Sequence, residues 1–282
     1  MELKYLPYKN GTDSFMIPKT SEDERRTCNL GLAVPPSELW LGYGEAEEEY
    51  LSGGEKDVRI MLELAKASGF LFTERKRILD LGCGAGRMLR HLKELSESCE
   101  IWGTDICAEY IYWCKQHLSP PFHFATTTTI PHLPFEDRYF DFIYCGSLFT
   151  HIDDLAEAWL LELRRVLSST GRLYLTIHDN HTMELFAQRY RDHWLAKWME
   201  SHDLYVRSKD SMGMLAIGRD SGSQIFYDID YFCKTVESVY DVLSITQEAY
   251  GYQTGILLKT KVWPPSVQDA PGPGTAETLS TT

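Results

Sequence analysis

A carboxylate and a run of glycines follow a short apolar segment within residues 78–90. The apolar segment is typical of a buried strand, and the amphipathic sequence after the glycines predicts a helix. Glycine lets the chain turn tightly and leaves main-chain N–H groups at the helix N-terminus open to a ligand. The residues predicted to contact that ligand are Asp80, Gly82, Cys83, Gly84 and Gly86.

A second acidic residue, Asp105, ends the next predicted strand, residues 100–105. A carboxylate at that place can accept hydrogen bonds from both hydroxyls of a ribose. The third glycine of a dinucleotide-binding turn is replaced here by Arg87, and the charge of Asp80 would repel a pyrophosphate. The same charge suits an ammonium group, so the pattern favours a cationic amino-acid nucleoside as the ligand.

These residues and two later segments resemble the class I S-adenosylmethionine-dependent methyltransferases between about residues 69 and 261. The motifs that carry the resemblance are DLGCGAGR (80–87), GTDI (103–106), LPFEDRYFDFIYCGSLFTHI (133–152) and ELRRVLSSTGRLYLTIHD (162–179). The resemblance implies an enzyme with S-adenosyl-L-methionine as cofactor and Arg87 within its binding motif. It also implies a Rossmann-like α/β fold. In that fold a seven-stranded, mostly parallel sheet carries helices on both faces, its last strand is antiparallel, and an insertion precedes the closing strand pair.

The resemblance implies further cofactor contacts near the ends of neighbouring strands. Ile106 would form an apolar shelf against the adenine ring, and the segment containing Ser147 would run beside the methionine moiety. Relatives often bind the adenine amino group with an aspartate after the third strand. This chain has Thr127 or Thr128 there, so a hydroxyl or main-chain contact is expected instead. Tyr43 is similar to a tyrosine that reaches the cofactor carboxylate in some relatives; a core or lid tyrosine is the alternative.

Two histidines follow predicted strands and are the candidate general bases. His151 comes after the fourth strand and His178 after the fifth, at the sheet edge where such folds bind ligands. In the alternative interpretation, His151 only braces the following helix. A metal site formed by His178 with His181 and His193 would rest on a weak H-x-x-H pattern, so no metal is predicted.

Composition narrows the range of partners. The chain of 282 residues carries a net charge of −13 and lacks a basic track that could neutralise phosphates, so no nucleic-acid partner is predicted. No apolar run reaches the length of a membrane span, and the N-terminal sequence lacks the pattern of a signal peptide. The seven cysteines form no C-x-x-C pair and are expected to be reduced. We expect a cytoplasmic enzyme that acts on a small molecule, and the sequence does not indicate its oligomeric state.

Alternating strand and helix patterns predict one main domain, with a parallel sheet covered on both faces. Residues 1–50 are expected to form an irregular arm or lid, and residues 51–262 the methyltransferase domain. Residues 180–228 would be an insertion that covers the acceptor pocket, and residues 263–282 a disordered tail. Predicted helices include 55–69, 85–96 and 153–167.

The expected reaction is transfer of a methyl group to a small-molecule acceptor by in-line displacement. The sequence Cys145 to Leu148 differs from the N-P-P-Y type of tetrapeptide found in methylators of DNA base amino groups, which favours an oxygen acceptor. Carbon, nitrogen and sulfur acceptors stay open. The alternatives are another transferase chemistry on the same fold, or a regulatory protein that binds the cofactor without turnover.

Overall fold

The computed structural model describes residues 27–208, 210–218 and 222–261. Residues 1–26 of the predicted arm and the predicted tail at 263–282 lie outside the described residues. The strands are Arg77–Leu81 (β1), Glu100–Asp105 (β2), His123–Thr126 (β3), Phe140–Cys145 (β4), Leu167–Ile177 (β5), Met214–Ile217 (β6), Gln224–Tyr227 (β7), Tyr240–Tyr250 (β8) and Gln253–Thr260 (β9). The α-helices are Glu47–Ala67 (α1), Ala108–His117 (α2), Ala156–Val166 (α3), Asn180–Gln188 (α4), Trp194–Ser201 (α5), Asp203–Ser208 (α6) and Ile229–Val236 (α7).

Seven strands form one sheet in the order β3-β2-β1-β4-β5-β9-β8. The pairs from β3 to β5 are all parallel, whereas β9 runs antiparallel to both of its neighbours. Strand order reverses between β1 and β4, so a crevice opens there at the carboxyl ends of the strands. This arrangement confirms the predicted mostly parallel sheet with an antiparallel last strand.

Helices pack against both faces of the sheet. Successive residues of a strand point to opposite faces, so neighbouring residues of one strand belong to different helical layers. Ile143 belongs to the core cluster that holds the apolar sides of α3 and α7. Its neighbour Phe142 belongs to the cluster on the other face, with residues of α1 and α2. The buried central strands therefore sit between two helical layers, as the sequence predicts.

The predicted insertion lies between β5 and α7, ahead of the closing pair β8–β9. It contains α4, α5, α6 and the hairpin of β6 and β7, which pair antiparallel. Its apolar residues form a separate cluster around Phe186, Leu195 and Phe226. The insertion thus has its own small core and stands beside the crevice.

The predicted helix 85–96 is wrong. Turns follow the glycines, with 3₁₀ segments at Leu89–Leu92 and Leu95–Glu97. The buried side chain of Arg90 donates from Nε to the Gly86 carbonyl (3.0 Å) and from Nη2 to the Ala85 carbonyl (3.2 Å). The Gly86 carbonyl also accepts the Arg90 N–H (3.2 Å), as in an α-helix, but the next N–H, that of His91, bonds the Met88 carbonyl three residues back (3.0 Å), as in a 3₁₀ turn. The glycine turn therefore does not lead into an α-helix N-terminus.

The acidic run at 45–49 marks the start of α1, which begins earlier than the predicted residue 55. Glu47, Glu48 and Glu49 lie in its first turn, where carboxylates interact favourably with the helix dipole.

All seven cysteines are free, as expected. No helix in the described part of the chain is long and apolar enough to cross a membrane.

Candidate active site

Three adjoining cavities lie at the carboxyl ends of the strands. The glycine-turn cavity, about 600 Å³, is bounded by the turn after β1, the end of β2 and the loop after β4. The threonine cavity, about 400 Å³, is bounded by residues 127–129 and the segment before α3. The histidine cavity, about 610 Å³, reaches the insertion and the β8–β9 turn. His151 lines all three.

The turn after β1 is shaped by glycines with positive φ. The N–H groups of Gly82 and Cys83 both donate to the Thr104 carbonyl (2.8 and 3.0 Å), which fastens the turn to β2. Gly84 has φ +53°, and a Cβ added there would lie 3.2 Å from Leu41 Cδ1. A side chain at this position would narrow the space between the turn and the arm.

Asp105 connects the turn to the end of β2. Its Oδ2 accepts the Gly84 N–H (2.9 Å) and its Oδ1 accepts the Cys107 N–H (2.8 Å). Burial raises the pKa of Asp105, although these main-chain bonds oppose the shift. A carboxylate offers about four lone-pair sites, so each oxygen can still accept one hydroxyl.

Asp80 is buried in the wall of the glycine-turn cavity. Burial raises its pKa to about 8, since the charged form has lost its water. A cation in the cavity would compensate for that loss. That Asp80 binds an ammonium group stays a prediction.

Arg87 also lines the glycine-turn cavity, but its charge is already paired. Its Nη2 donates to Asp57 Oδ2 at 2.5 Å, and both side chains are buried. The guanidinium carbon lies 4.2 Å from the ring centre of Tyr43 and 5.0 Å from that of Tyr250. Burial alone would lower the pKa of Arg87, but Tyr250 and Asp57 more than offset it. The charged side chain thus holds α1 and the arm against the turn.

The predicted adenine contacts lie where the glycine-turn and threonine cavities meet. Ile106 lines both cavities and is 51% exposed, as an apolar shelf for a ligand requires. Thr127 is buried in the threonine cavity, and its N–H donates to the Asp105 carbonyl (2.9 Å). The exposed Thr128 lines the same cavity.

Ser147 takes part in a closed ring of hydrogen bonds that sequence analysis missed. Its N–H donates to Thr176 Oγ1 (2.7 Å), whose hydroxyl donates to Gln253 Oε1 (2.6 Å). Gln253 Nε2 donates back to Ser147 Oγ (2.7 Å). The ring fixes the loop after β4 to β5 and β9 and holds Ser147 at a φ of +56°.

His151 is held in one orientation by the insertion. Its Nδ1 lies 2.7 Å from the carbonyl oxygen of Ser223, and the Ser223 hydroxyl donates to the His151 carbonyl (3.1 Å). A carbonyl only accepts, so Nδ1 carries the proton and Nε2 of the neutral ring has a free lone pair. This tautomer suits a general base.

His178 is placed differently. It lines the histidine cavity but is only 2% exposed, and its ring stacks on Phe226 with 4.8 Å between the centroids. Burial lowers its pKa to about 3, because the protonated ring would lose its water. Such a ring is a weak base.

The remaining residues that the sequence analysis considered do not contact the glycine-turn cavity. Gly86 packs behind the turn, where an added Cβ would lie 2.7 Å from Leu118 Cδ1, and it does not line the glycine-turn cavity. The residues of the considered metal site have other partners: His181 lies 3.4 Å from Glu248, and His193 accepts the Leu195 N–H. No three His, Cys, Asp or Glu residues within the described ranges are arranged to hold a metal ion.

Several lining residues were not predicted. They are Trp40, Tyr50, Met88, Tyr110 and Tyr250 in the glycine-turn cavity, and Asp57, Trp194, Tyr252 and Gln253 in the histidine cavity. They come from segments far apart in the chain and form no local pattern. Tyr250 and the sequence GYQTG at 251–255 form the connection between β8 and β9. This glycine-containing segment could have marked Tyr250 and Gln253 as candidates.

Comparison with known proteins agrees with this geometry. Residues 79–175 match the family described as a methyltransferase domain. The demethylmenaquinone methyltransferase of Deinococcus radiodurans is 30% identical over 132 residues, which cover 45% of this chain and 53% of that protein. The chain therefore spans about half the length of this curated relative.

Solved structures share the fold at low sequence identity. The PH0226 protein of Pyrococcus horikoshii has a TM-score of 0.55 and 17% identity, over 78% of this chain and 95% of that one. An S-adenosylmethionine-dependent methyltransferase of Clostridium acetobutylicum has a TM-score of 0.52 and 13% identity, over 73% and 91%. The glycopeptide N-methyltransferase MtfA, solved with sinefungin, has a TM-score of 0.50 and 13% identity, over 74% and 87%.

Proposed function

The chain carries a methyltransferase domain on the class I, S-adenosylmethionine-dependent fold, and we propose that it methylates an oxygen of a small-molecule acceptor. One observation carries the proposal. The glycine-turn cavity holds two buried carboxylates and shares His151 and Ser147 with the histidine cavity. A cofactor in the first cavity and an acceptor in the second would meet at these residues.

The residues of the glycine-turn cavity fit S-adenosylmethionine. Asp80 would accept the ammonium group, and Asp105 would accept the ribose hydroxyls. Ile106 and Thr127 would contact the adenine ring where the threonine cavity begins.

S-adenosylmethionine, when bound, supplies a methyl group that is already activated by the positively charged sulfur. The protein must then bring an acceptor oxygen into line, exclude water and remove a proton. His151 supports the choice of a hydroxyl acceptor, since its Nδ1 donates to Ser223 and Nε2 can take the proton. The hydrogen-bonded ring of Ser147, Thr176 and Gln253 keeps the loop that carries His151 in place.

The cofactor part of the proposal is tested by calorimetric titration with S-adenosylhomocysteine. We expect micromolar binding by the wild type and a loss of at least about 30-fold in Asp105→Ala, because charge-assisted bonds to two hydroxyls are removed. Asp241→Ala is the matched control, since Asp241 is an exposed carboxylate on β8. Equal affinity in wild type and Asp105→Ala would refute the assigned cofactor site.

The transfer step is tested with radiolabelled S-adenosylmethionine and hydroxylated aromatic acceptors. The proposal is supported if the labelled methyl group appears in a product and stays attached to its oxygen in alkali, as it does in a methyl ether. Tight cofactor binding without label in any acceptor would instead favour the non-methylating alternative.

A further inference from the structure

Trp194 differs from the other aromatic residues of the insertion because its large ring stays open to water. It is 60% exposed, whereas Trp198 on the same helix packs against the apolar cluster around Phe186. Trp194 is not among the described residues of that cluster, but it lines the histidine cavity together with His151. A ligand in that cavity can cover the exposed ring, so Trp194 is a candidate contact for the acceptor.

The two neighbours of Trp194 along the chain hold its main chain in place. His193 precedes it and caps α5, with Nδ1 accepting the Leu195 N–H at 3.3 Å. The His193 ring stacks on Phe186, with 5.2 Å between the centroids and 15° between the planes. Leu195 follows and is buried in the apolar cluster of the insertion. Trp194 is thus fixed from both sides, and an indole ring has only two side-chain torsions to order when a ligand binds.

Two other aromatic side chains in the wall of the histidine cavity are partly exposed, Tyr43 and Tyr252. The Arg87 guanidinium lies over the Tyr43 ring, 4.2 Å from its centre. The Tyr252 ring packs on that of Phe186, with 4.9 Å between the centroids. Both tyrosines are therefore engaged with protein groups, and Trp194 offers the most open aromatic surface of the three.

The histidine cavity suits an aromatic acceptor in its size and its charge. Its volume of about 610 Å³ lies within the range of small-molecule sites. His151, the proposed general base, lines the same cavity. The charged lining residues are two acids and two bases, so the wall carries no net charge that would select an ion: Glu49, Asp57, Lys56 and Arg87.

We propose that Trp194 selects a planar aromatic acceptor by stacking its indole ring on the ring of that acceptor. The proposal rests on the proposed function, in which the hydroxyl group of the acceptor meets His151. Stacked aromatic rings attract each other beyond the effect of the area that they bury, and a saturated ring of the same size lacks this attraction. Trp194 would thus determine which acceptors bind, while His151 removes the proton.

The test compares 2-naphthol with decahydro-2-naphthol, which has the same carbon skeleton and hydroxyl group but no flat ring. Each probe is titrated by calorimetry in saturating S-adenosylhomocysteine. Trp194→Leu keeps an apolar side chain and removes the aromatic ring, so it should bind 2-naphthol about fivefold more weakly and decahydro-2-naphthol less than about twofold more weakly. Trp194→Phe restores a flat ring and should recover most of the lost affinity. Leu204→Ala, which removes a 50% exposed side chain of α6 outside the cavity, should bind both probes as the wild type does.

Three results would overturn the proposal: a wild type that binds neither probe, a Trp194→Leu variant that binds 2-naphthol as the wild type does, and equal losses for the two probes. A second measurement serves if Trp194→Leu does not fold. The chain has seven tryptophans, and the ¹⁹F resonance that is missing from 5-fluorotryptophan-labelled Trp194→Phe identifies Trp194. That resonance must shift in the wild type when 2-naphthol is added, and an unchanged resonance overturns the proposal.

The same titrations without S-adenosylhomocysteine separate this proposal from the proposed function. A wild type that does not bind S-adenosylhomocysteine refutes the proposed cofactor site. If 2-naphthol still binds to that protein and the fivefold loss in Trp194→Leu is still found, the role of Trp194 in binding aromatic rings is supported independently.

Discussion

His151 and His178 line one cavity, but their surroundings give them different chemistry. The Ser223 carbonyl accepts a hydrogen bond from the His151 Nδ1–H, which leaves His151 Nε2 able to accept a proton. His178 is more deeply buried, and burial lowers its pKa to about 3. Of these two histidines, only His151 therefore has the open nitrogen that the proposed general base requires.

Replacing His151 with alanine should slow methyl transfer far more than it weakens cofactor binding. A positioned general base contributes about 10²–10⁴-fold, so we expect a fall of this size in kcat for a hydroxyl acceptor. The affinity for S-adenosylhomocysteine should change by less than about threefold. An unchanged kcat at saturating acceptor would show that the acceptor loses its proton without His151.

Asp80 should make cofactor affinity depend on pH. Its pKa is raised to about 8 by burial, so below pH 8 it holds a proton that must leave when an ammonium group binds. The affinity for S-adenosylhomocysteine should therefore rise with pH between 6 and 7.5, by at most about tenfold per unit. Calorimetry in buffers of different ionisation enthalpy should show proton release. A flat profile in the wild type would contradict this, and Asp80→Asn should show no slope.

At the scale of elements, the sequence predicts what local patterns encode. Strands β1 and β2 are found at their predicted places, and His151 and His178 follow β4 and β5 as expected, because apolar runs mark these strands. The predicted helix 85–96 is wrong, since the segment forms turns and 3₁₀ segments, and its central residue makes contacts that the local pattern does not encode. Arg90 turns inward to the carbonyls of the turn and also donates to the Ala33 carbonyl of the arm.

The candidate site could also be predicted only where local sequence motifs encode it. Asp80, Gly84 and Asp105 lie in compact motifs, so their types and spacing indicate a nucleoside ligand. Asp57 and Gln253 reach the site from α1 and β9, and only tertiary packing brings them there. The neighbours of Asp57 along the chain carry no signal for this role, whereas Gln253 lies in the sequence GYQTG at 251–255.

The pair of Asp57 and Arg87 should matter for stability because it joins α1 to the glycine turn. Asp57→Ala leaves a buried guanidinium without its carboxylate, which costs about 3–5 kcal/mol in comparable pairs. Urea unfolding should show this loss. Glu63→Ala, which removes an exposed partner of Arg59 on the same helix, should change stability by less than about 0.5 kcal/mol. Similar values for the two variants would refute a structural role for the buried pair.

For the whole molecule, a buried histidine makes folding sensitive to acid. The pKa of His178 falls from 6.5 to about 3 on folding, and burial also lowers that of His91 to about 4. Both rings therefore bind protons more strongly in the unfolded chain. Their contribution to stability is complete above pH 6.5 and is lost as the pH falls towards the folded values.

The free energy of unfolding should accordingly decrease between pH 7 and pH 5, with about 2 kcal/mol of the loss due to His178. His178→Phe keeps the contact with Phe226 and Tyr252 but cannot take a proton, so its stability should fall less over this range. Urea titrations at pH 7, 6 and 5 measure the difference. If His178→Phe and the wild type lose stability in parallel, His178 is not kept neutral by burial.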